Sequence, residues 1–178
     1  GNSAEIIAQL NRFFDKLMQI LNEGHSDNYD FDYDRIVSFG EYLSTTIISF
    51  FLNQMGVHNH WVDACKIIRT DNTYREGRVN WEVTSQEVKN QVETIHQTDS
   101  SKPIIITQGF IAGTSEKLRT TLGREGSDYT AAIIAHSLDA KDVTIWKDVP
   151  GLLNADPKLF PDAVKLDAIP YREAIELS

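Results

Sequence analysis

Apolar residues return at helical spacing from Ser3 to about Asn22. Ile6, Ile7, Leu10, Phe13, Phe14, Leu17, Ile20 and Leu21 follow a 3.6-residue repeat, which predicts an amphipathic helix. Two more helical stretches follow, Ile36 to Met55 and Val83 to Thr94, the latter amphipathic through Val88, Val92 and Ile95. Between them the pattern shortens. His58 to Asp63 reads as a strand after a helix stop at Gly56, and Ile67 to Asn72 as strand and turn. Pro103-Ile104-Ile105-Ile106-Thr107 is β-branched and continuously apolar, the pattern of a strand buried on both faces. A helix is expected from Ser127 to Ala140 and a strand from Val143 to Trp146. A turn at Pro150-Gly151, a loop from Leu152 to Pro157 and a helix start at Tyr171 complete the reading. Strands alternate with helices, so the chain is expected to be α/β with a largely parallel sheet.

One stretch organises this pattern, Thr120-Thr121-Leu122-Gly123-Arg124-Glu125-Gly126-Ser127-Asp128-Tyr129-Thr130. It lies between the Ile104–Ile106 strand and the helix that contains Ala131 to Ala135, so it reads as a strand-to-helix link. Its glycines allow a tight turn and close approach of backbone to a ligand. Ser127 is an N-cap candidate, and the helix start favours an anion. Arg124 adds a planar, permanent positive charge suited to carboxylate or phosphate.

The net charge of −9 argues against nucleic acid as the main partner, though a nucleotide needs only a local positive pocket. Much of the acidity is early: Glu5, Asp15, Glu23, Asp27, Asp30, Asp32 and Asp34 stand against Arg12 and Lys16. Glu23 to Asp34 is expected to be a solvated acidic loop, because its Asp27, Asp30, Asp32 and Asp34 lack the central Gly and distal Glu of a calcium loop. The chain has 178 residues, 41% hydrophobic and 24% charged, enough for one domain with a core. No apolar run approaches the ~20 residues a membrane helix needs, and no secretory leader is visible. The single cysteine, Cys65, excludes an internal disulfide and fits a reducing cytoplasm, and its setting reads as a packed thiol. His58 and His60 share a strand face but show no third ligand nearby in sequence, so no metal site is assigned to protein side chains.

Three segments carry a resemblance to a known family. Thr107-Gln108-Gly109-Phe110-Ile111-Ala112-Gly113, the run from Thr120 to Thr130, and Ile145-Trp146-Lys147-Asp148-Val149-Pro150-Gly151 resemble the aspartokinase signature set, in its order and spacing. The likeness runs from about Phe39 to Ser178. It implies a three-layer αβα sandwich of the amino acid kinase (carbamate kinase-like) type, incomplete at both ends, occupying residues 1–178. It implies transfer of the ATP γ-phosphate to the side-chain carboxylate of L-aspartate, the entry to lysine, threonine and methionine biosynthesis. The cofactors implied are ATP and Mg2+ held mainly through the ATP phosphates. The resemblance also implies a cytoplasmic setting and a homodimeric or larger parent, with no membrane partner.

Residue by residue, the resemblance assigns Arg124 and Asp128 to the catalytic site. Arg124 pairs with a carboxylate of L-aspartate, and Asp128 organises the cations around the phosphates. Glu41, Phe110 and Ser127 join Arg124 in binding the substrate. Glu41 stands in the Ser38-Phe39-Gly40-Glu41 segment, expected at a helix start, where a bare first-turn Glu would favour the helix dipole. Lys147, Asp148, Leu153 and Lys158 are assigned to the nucleotide. Little general-base work is needed, because the acceptor carboxylate (pKa ~3.9) is already ionised at pH 7.

Some family features differ. Glu125 stands where Gly is common, Leu153 where an aromatic often flanks adenine, and Lys158 where Arg is common. The family's Lys-Phe-Gly-Gly-Thr-Ser segment, a second signature lysine and the regulatory ACT domains are not within the 178 residues. The chain is therefore expected to be part of a longer enzyme and inactive alone. Two alternatives are another amino acid kinase acting on a different acid or on UMP, and a non-catalytic regulatory domain of the same fold.

Overall fold

The structure is a computed structural model, and it describes residues 3–101, 103–148, 151–170 and 172–174. It divides into two compact units, residues 1–143 and 144–178.

In the first unit, α1 (Ser3–Glu23) packs along α2 (Tyr29–Gln54). The chain continues through β1 (Asn59–Val62), a single turn α3 (Ala64–Ile67), β2 (Arg69–Thr70) and α4 (Trp81–Thr98). It closes with β3 (Ile104–Thr107), β4 (Ile111–Thr114), β5 (Arg119–Thr121) and α5 (Gly126–Leu138). β1 pairs parallel with β3, β2 pairs parallel with β4, and β4 pairs antiparallel with β5.

Alternation along the strands sorts the core into two layers of side chains. Val62 and Ala112 join Ile67, Ile68, Leu122 and the helix residues Val88, Ile95 and Ile133 on one face. Trp61 and Ile111 join Ala64, Tyr42 and Phe13 on the other. Successive strand residues point to opposite faces, so α4 and α5 cover one side of the strands and α1 and α2 the other. This is the expected helix–strand–helix layering. Phe13 stacks on Tyr42 at 5.3 Å, with Trp61 6.0 Å from Tyr42, which fixes α1 and α2 against β1.

Four expectations need correction. The acidic stretch before Ile36 is not a solvated loop, because α2 already begins at Tyr29, capped by the Asn28 side chain, which accepts from the Phe31 N–H at 3.1 Å. Asp32 and Asp34 are buried inside that helix. The Asp34 carboxylate is satisfied by groups distant in sequence, at Arg75 and Thr121, which its local composition conceals, whereas Asp32 pairs locally with Arg35 and the Ser26 N–H. β3 is not buried on both faces: Ile104 is 53% exposed, since β3 pairs with β1 alone. Nor does β3 lead directly to the glycine loop, because the β4–β5 hairpin intervenes. Finally, Val143 to Trp146 forms no strand. Among the described residues no ladder hydrogen bond runs along it, and an extended run without a paired neighbour is not a strand.

The second unit has little regular structure among its described residues. Leu153 and Lys165 form an antiparallel bridge, with Asn154 N–H donating to Val164 O and Leu166 N–H to Leu152 O. Asp156 organises a turn by accepting from the Lys158 N–H at 2.8 Å. The expected start of the last helix, Tyr171, lies outside the described residues, and residues 172–174 are helical.

Candidate active site

The site is built where two loops touch. The first follows β3 at Gln108-Gly109-Phe110, and the second follows β5 at Leu122 to Glu125. Gln108 anchors the first loop from within the core. Its amide donates to Thr45 Oγ1 at 2.9 Å and accepts from the Ala64 N–H at 2.8 Å. Gly109 then passes so close to the backbone of Ser127 that a Cβ on it would lie 2.9 Å from Ser127 Cβ. No residue with a side chain fits there without moving α5.

Phe110 has φ of 70°, in the left-handed region that a bulky residue rarely occupies. Three contacts hold it there. Its N–H donates to Thr130 Oγ1 at 3.0 Å, its carbonyl accepts from the Leu122 N–H at 2.8 Å, and its ring lies over Gly126, where a Cβ would meet Phe110 Cδ2 at 2.8 Å. Strain of this kind persists only where the surroundings over-determine it, and it gathers at ligand sites.

The second loop is held from the opposite side by α2. Asp34 is fully buried, and its carboxylate accepts from Thr121 Oγ1 (2.8 Å), the Thr121 N–H (2.9 Å) and the Arg75 N–H (2.8 Å). Burial outweighs these hydrogen bonds and raises its pKa above the ordinary carboxylate value. Arg119 adds a second tie. Its guanidinium lies 4.3 Å from the Phe39 ring centre and donates to Arg35 O at 3.3 Å. No sequence motif announces Asp34, because its partners lie 41 and 87 residues away.

Beyond this clasp the chain turns at Gly123, with φ of 78°, and presents Arg124 to solvent. Arg124 opens onto a cleft of about 590 Å³ shared with Phe110, Thr121, Gly123, Tyr74 and Arg75. Arg75 in this cleft is engaged with Asp30 at 3.4 Å and stacked on Tyr33. Arg124 makes no ion pair among the described residues. An exposed, unpaired guanidinium at the mouth of a cleft is available to a carboxylate or phosphate.

The start of α5 follows at once. Its N-cap is Glu125, not Ser127, and no side chain caps it. Glu125 takes the left-handed conformation, φ 56°, between the turn at Gly123 and the first residue of the helix. That conformation gives a physical reason for the glycine common at this position in the resembling family. Ser127 is exposed within the first turn, and Asp128 is half-buried beside it.

The sequence-assigned residues do not all converge. Phe110 and Arg124 line one cleft, and Ser127 abuts their loop through Gly109. Glu41 is not at a helix start. It lies midway along α2, half-buried, does not line that cleft, and has its pKa raised by burial. Asp128 lies in the first turn of α5 and does not line the cleft either. Lys147, Asp148, Leu153 and Lys158 belong to the second unit, where Leu153 is half-buried and the other three are exposed. Cys65 donates to Ala112 O at 3.0 Å, and burial pushes its thiol up to about 12, the behaviour of a packed, unreactive cysteine.

The amino acid kinase family profile matches residues 3–178. The lysine-sensitive aspartokinase 3 of Escherichia coli is 36% identical over 145 residues, covering 82% of this chain and 31% of the relative. A chloroplastic bifunctional aspartokinase/homoserine dehydrogenase of Arabidopsis thaliana is 34% identical, over 91% of this chain and 17% of its own length. The crystal structure of E. coli aspartokinase III in complex with aspartate and ADP superimposes with a TM-score of 0.87 at 31% identity, over 96% of this chain and 37% of that one. The chain thus spans about a third or less of the proteins it resembles.

Proposed function

Because this chain belongs to the amino acid kinase family, we propose that it forms the substrate-binding part of an aspartokinase, which moves the γ-phosphate of ATP to the side-chain carboxylate of L-aspartate. The observation that carries the reading is the unpaired Arg124 beside a strained Phe110, at a cleft next to the start of α5. The likeness to a structure that holds aspartate and ADP supports it.

Each group has a physical task in this reading. L-Aspartate brings two carboxylates and one ammonium. Arg124 takes a carboxylate in a bidentate fork, which fixes orientation as well as charge. The helix start and the Ser127 hydroxyl add hydrogen-bond donors near the same anion. Phe110 closes one wall of the cleft with its ring, while Glu41, the acid that the family resemblance assigns to the substrate, stands outside this cleft on α2. The acceptor carboxylate is already a nucleophile at neutral pH, so positioning and charge neutralisation provide the catalysis. Asp128 is the acidic residue of the first turn of α5. A single carboxylate fits a Mg2+ carried on ATP phosphates, since that ion keeps most of its ligands as phosphate and water. When bound, Mg2+ neutralises charge on the phosphates. Lys147, Asp148, Leu153 and Lys158 are assigned to the nucleotide, Asp148 to ribose or a phosphate-side contact and Leu153 to the position that flanks adenine. The same reading places the enzyme in lysine and threonine biosynthesis in the cytoplasm, as a homodimer or larger assembly.

The test is ATP-dependent formation of aspartyl phosphate by the full-length protein, trapped with hydroxylamine. L-Aspartate is expected to give hydroxamate, and Arg124→Ala and Asp128→Ala to lower kcat/KM by about 10²-fold or more, as loss of a charge-stabilising group does. A folded protein that binds ATP and leaves aspartate unphosphorylated contradicts the substrate assignment.

A further inference from the structure

We propose that His58, His60 and Asp99 form a binding site for a divalent transition-metal ion of the zinc class. His58 and His60 turn their Nε2 atoms onto the same Asp99 Oδ2, at 2.6 and 3.1 Å. All three donor atoms lie within 4.8 Å of one another. The spacing is set by backbone. His60 is the second residue of β1 and His58 precedes that strand, so the two share a face at i and i+2. Asp99 is the C-cap residue of α4, with its N–H bonded to Ile95 O. The His58 carbonyl accepts from the Ile104 N–H, where β3 begins. Strand, helix end and neighbouring strand therefore present the ligands from three fixed points.

The donor set is specific. Imidazole nitrogen with one carboxylate oxygen suits Zn2+ and its neighbours rather than Mg2+ or Ca2+, which take oxygen. Bonds of ~2.0–2.1 Å in a tetrahedron separate the donors by about 3.3 Å. The His60–Asp99 separation is already close to that, and His58, with a side chain 60% exposed, is free to swing outward by the remainder. Three protein ligands leave a fourth position for water. The second oxygen of Asp99 is held by Ser101, through its N–H at 3.0 Å and its hydroxyl at 2.6 Å. A carboxylate ligand fixed in this way by a neighbour is the usual support of a metal site. None of these residues lines the cleft at Arg124, so the site is independent of the proposed activity. Its effect is to staple the start of β1 to the connection between α4 and β3.

The experiment is calorimetric titration of the metal-free 178-residue chain with ZnCl2, repeated with CoCl2 while following visible absorption. One equivalent is expected to bind, with a tetrahedral Co2+ spectrum. His58→Ala, His60→Ala and Asp99→Asn should each weaken binding by more than ~10-fold, and Ser101→Ala by about 10-fold. Zn2+ at a hundred times its Kd should raise Tm by about 5–10 °C in the unaltered chain and leave the doubly substituted His58→Ala/His60→Ala chain unmoved. Circular dichroism of the metal-free variants checks that they fold. Absence of saturable Zn2+ and Co2+ binding overturns the proposal. So does stoichiometric binding that survives the double substitution, which would place the metal on other histidines.

Discussion

Asp34 shows how much of the candidate site depends on one buried side chain. Its carboxylate satisfies two backbone N–H groups and one hydroxyl, from the end of β5 and from the loop before α4. Asp34→Ala strands all three in the interior, and urea unfolding should show a loss of about 2–4 kcal/mol. Its pH behaviour has a definite sign. Burial raises its pKa in the folded state, so the folded chain holds this proton more tightly than the unfolded one. The stability this adds is complete below the unfolded value of ~3.9 and is lost as pH rises through the folded value. Between the acid side of that window and neutrality, the unaltered chain should therefore lose more unfolding free energy than Asp34→Asn does. Glu125 shows the opposite case, a residue that strains its position. Glu125→Gly removes the side-chain penalty of the left-handed backbone and should raise unfolding free energy by about 0.5–1 kcal/mol in thermal melts.

At the level of elements, α2 holds the site in register. Asp34 and Ser38 on this helix reach β5, and Thr45 reaches the loop after β3 through Gln108. The glycine at 126 does the matching work from α5 by leaving room for the Phe110 ring. Gly126→Ala should displace that ring and weaken aspartate binding, read by calorimetry, while leaving Zn2+ binding at His58 unchanged. The helices were legible because their apolar period is long. The start of α2 was not, since Asp32 and Asp34 look like solvent-facing residues until the groups that bury them are known, Arg35 and Ser26 for Asp32 and the distant Arg75 and Thr121 for Asp34. The β4–β5 hairpin was hidden because Ile111 to Thr114 is buried at every position and shows no alternation. The run from Val143 to Trp146 misled in the other direction: β-branched composition favours a strand, but a strand also needs a paired neighbour.

For the whole molecule, the two units differ in kind. The first carries two layers of core side chains around five strands, whereas the described part of the second is held by a bridge and turns. Hydrogen exchange should follow this difference, with slow amides in 104–107 and 111–114 and fast ones through most of 151–170. The candidate site was only partly legible in the sequence. The resemblance located Phe110 and Arg124, which the fold brings to one cleft. It could not reveal Asp34, or Asp99 beside His58 and His60, because both constellations are assembled across more than 35 residues of chain. The central claim is that the loop at Arg124 receives the carboxylate of L-aspartate. Its most direct test is an NMR titration of the isotope-labelled chain with L-aspartate, alongside Arg124→Ala. We expect saturable shifts concentrated at the amides of Phe110 and 123–128 in the unaltered chain and their loss in the variant. Shifts that fall elsewhere, or that persist in Arg124→Ala, would contradict it.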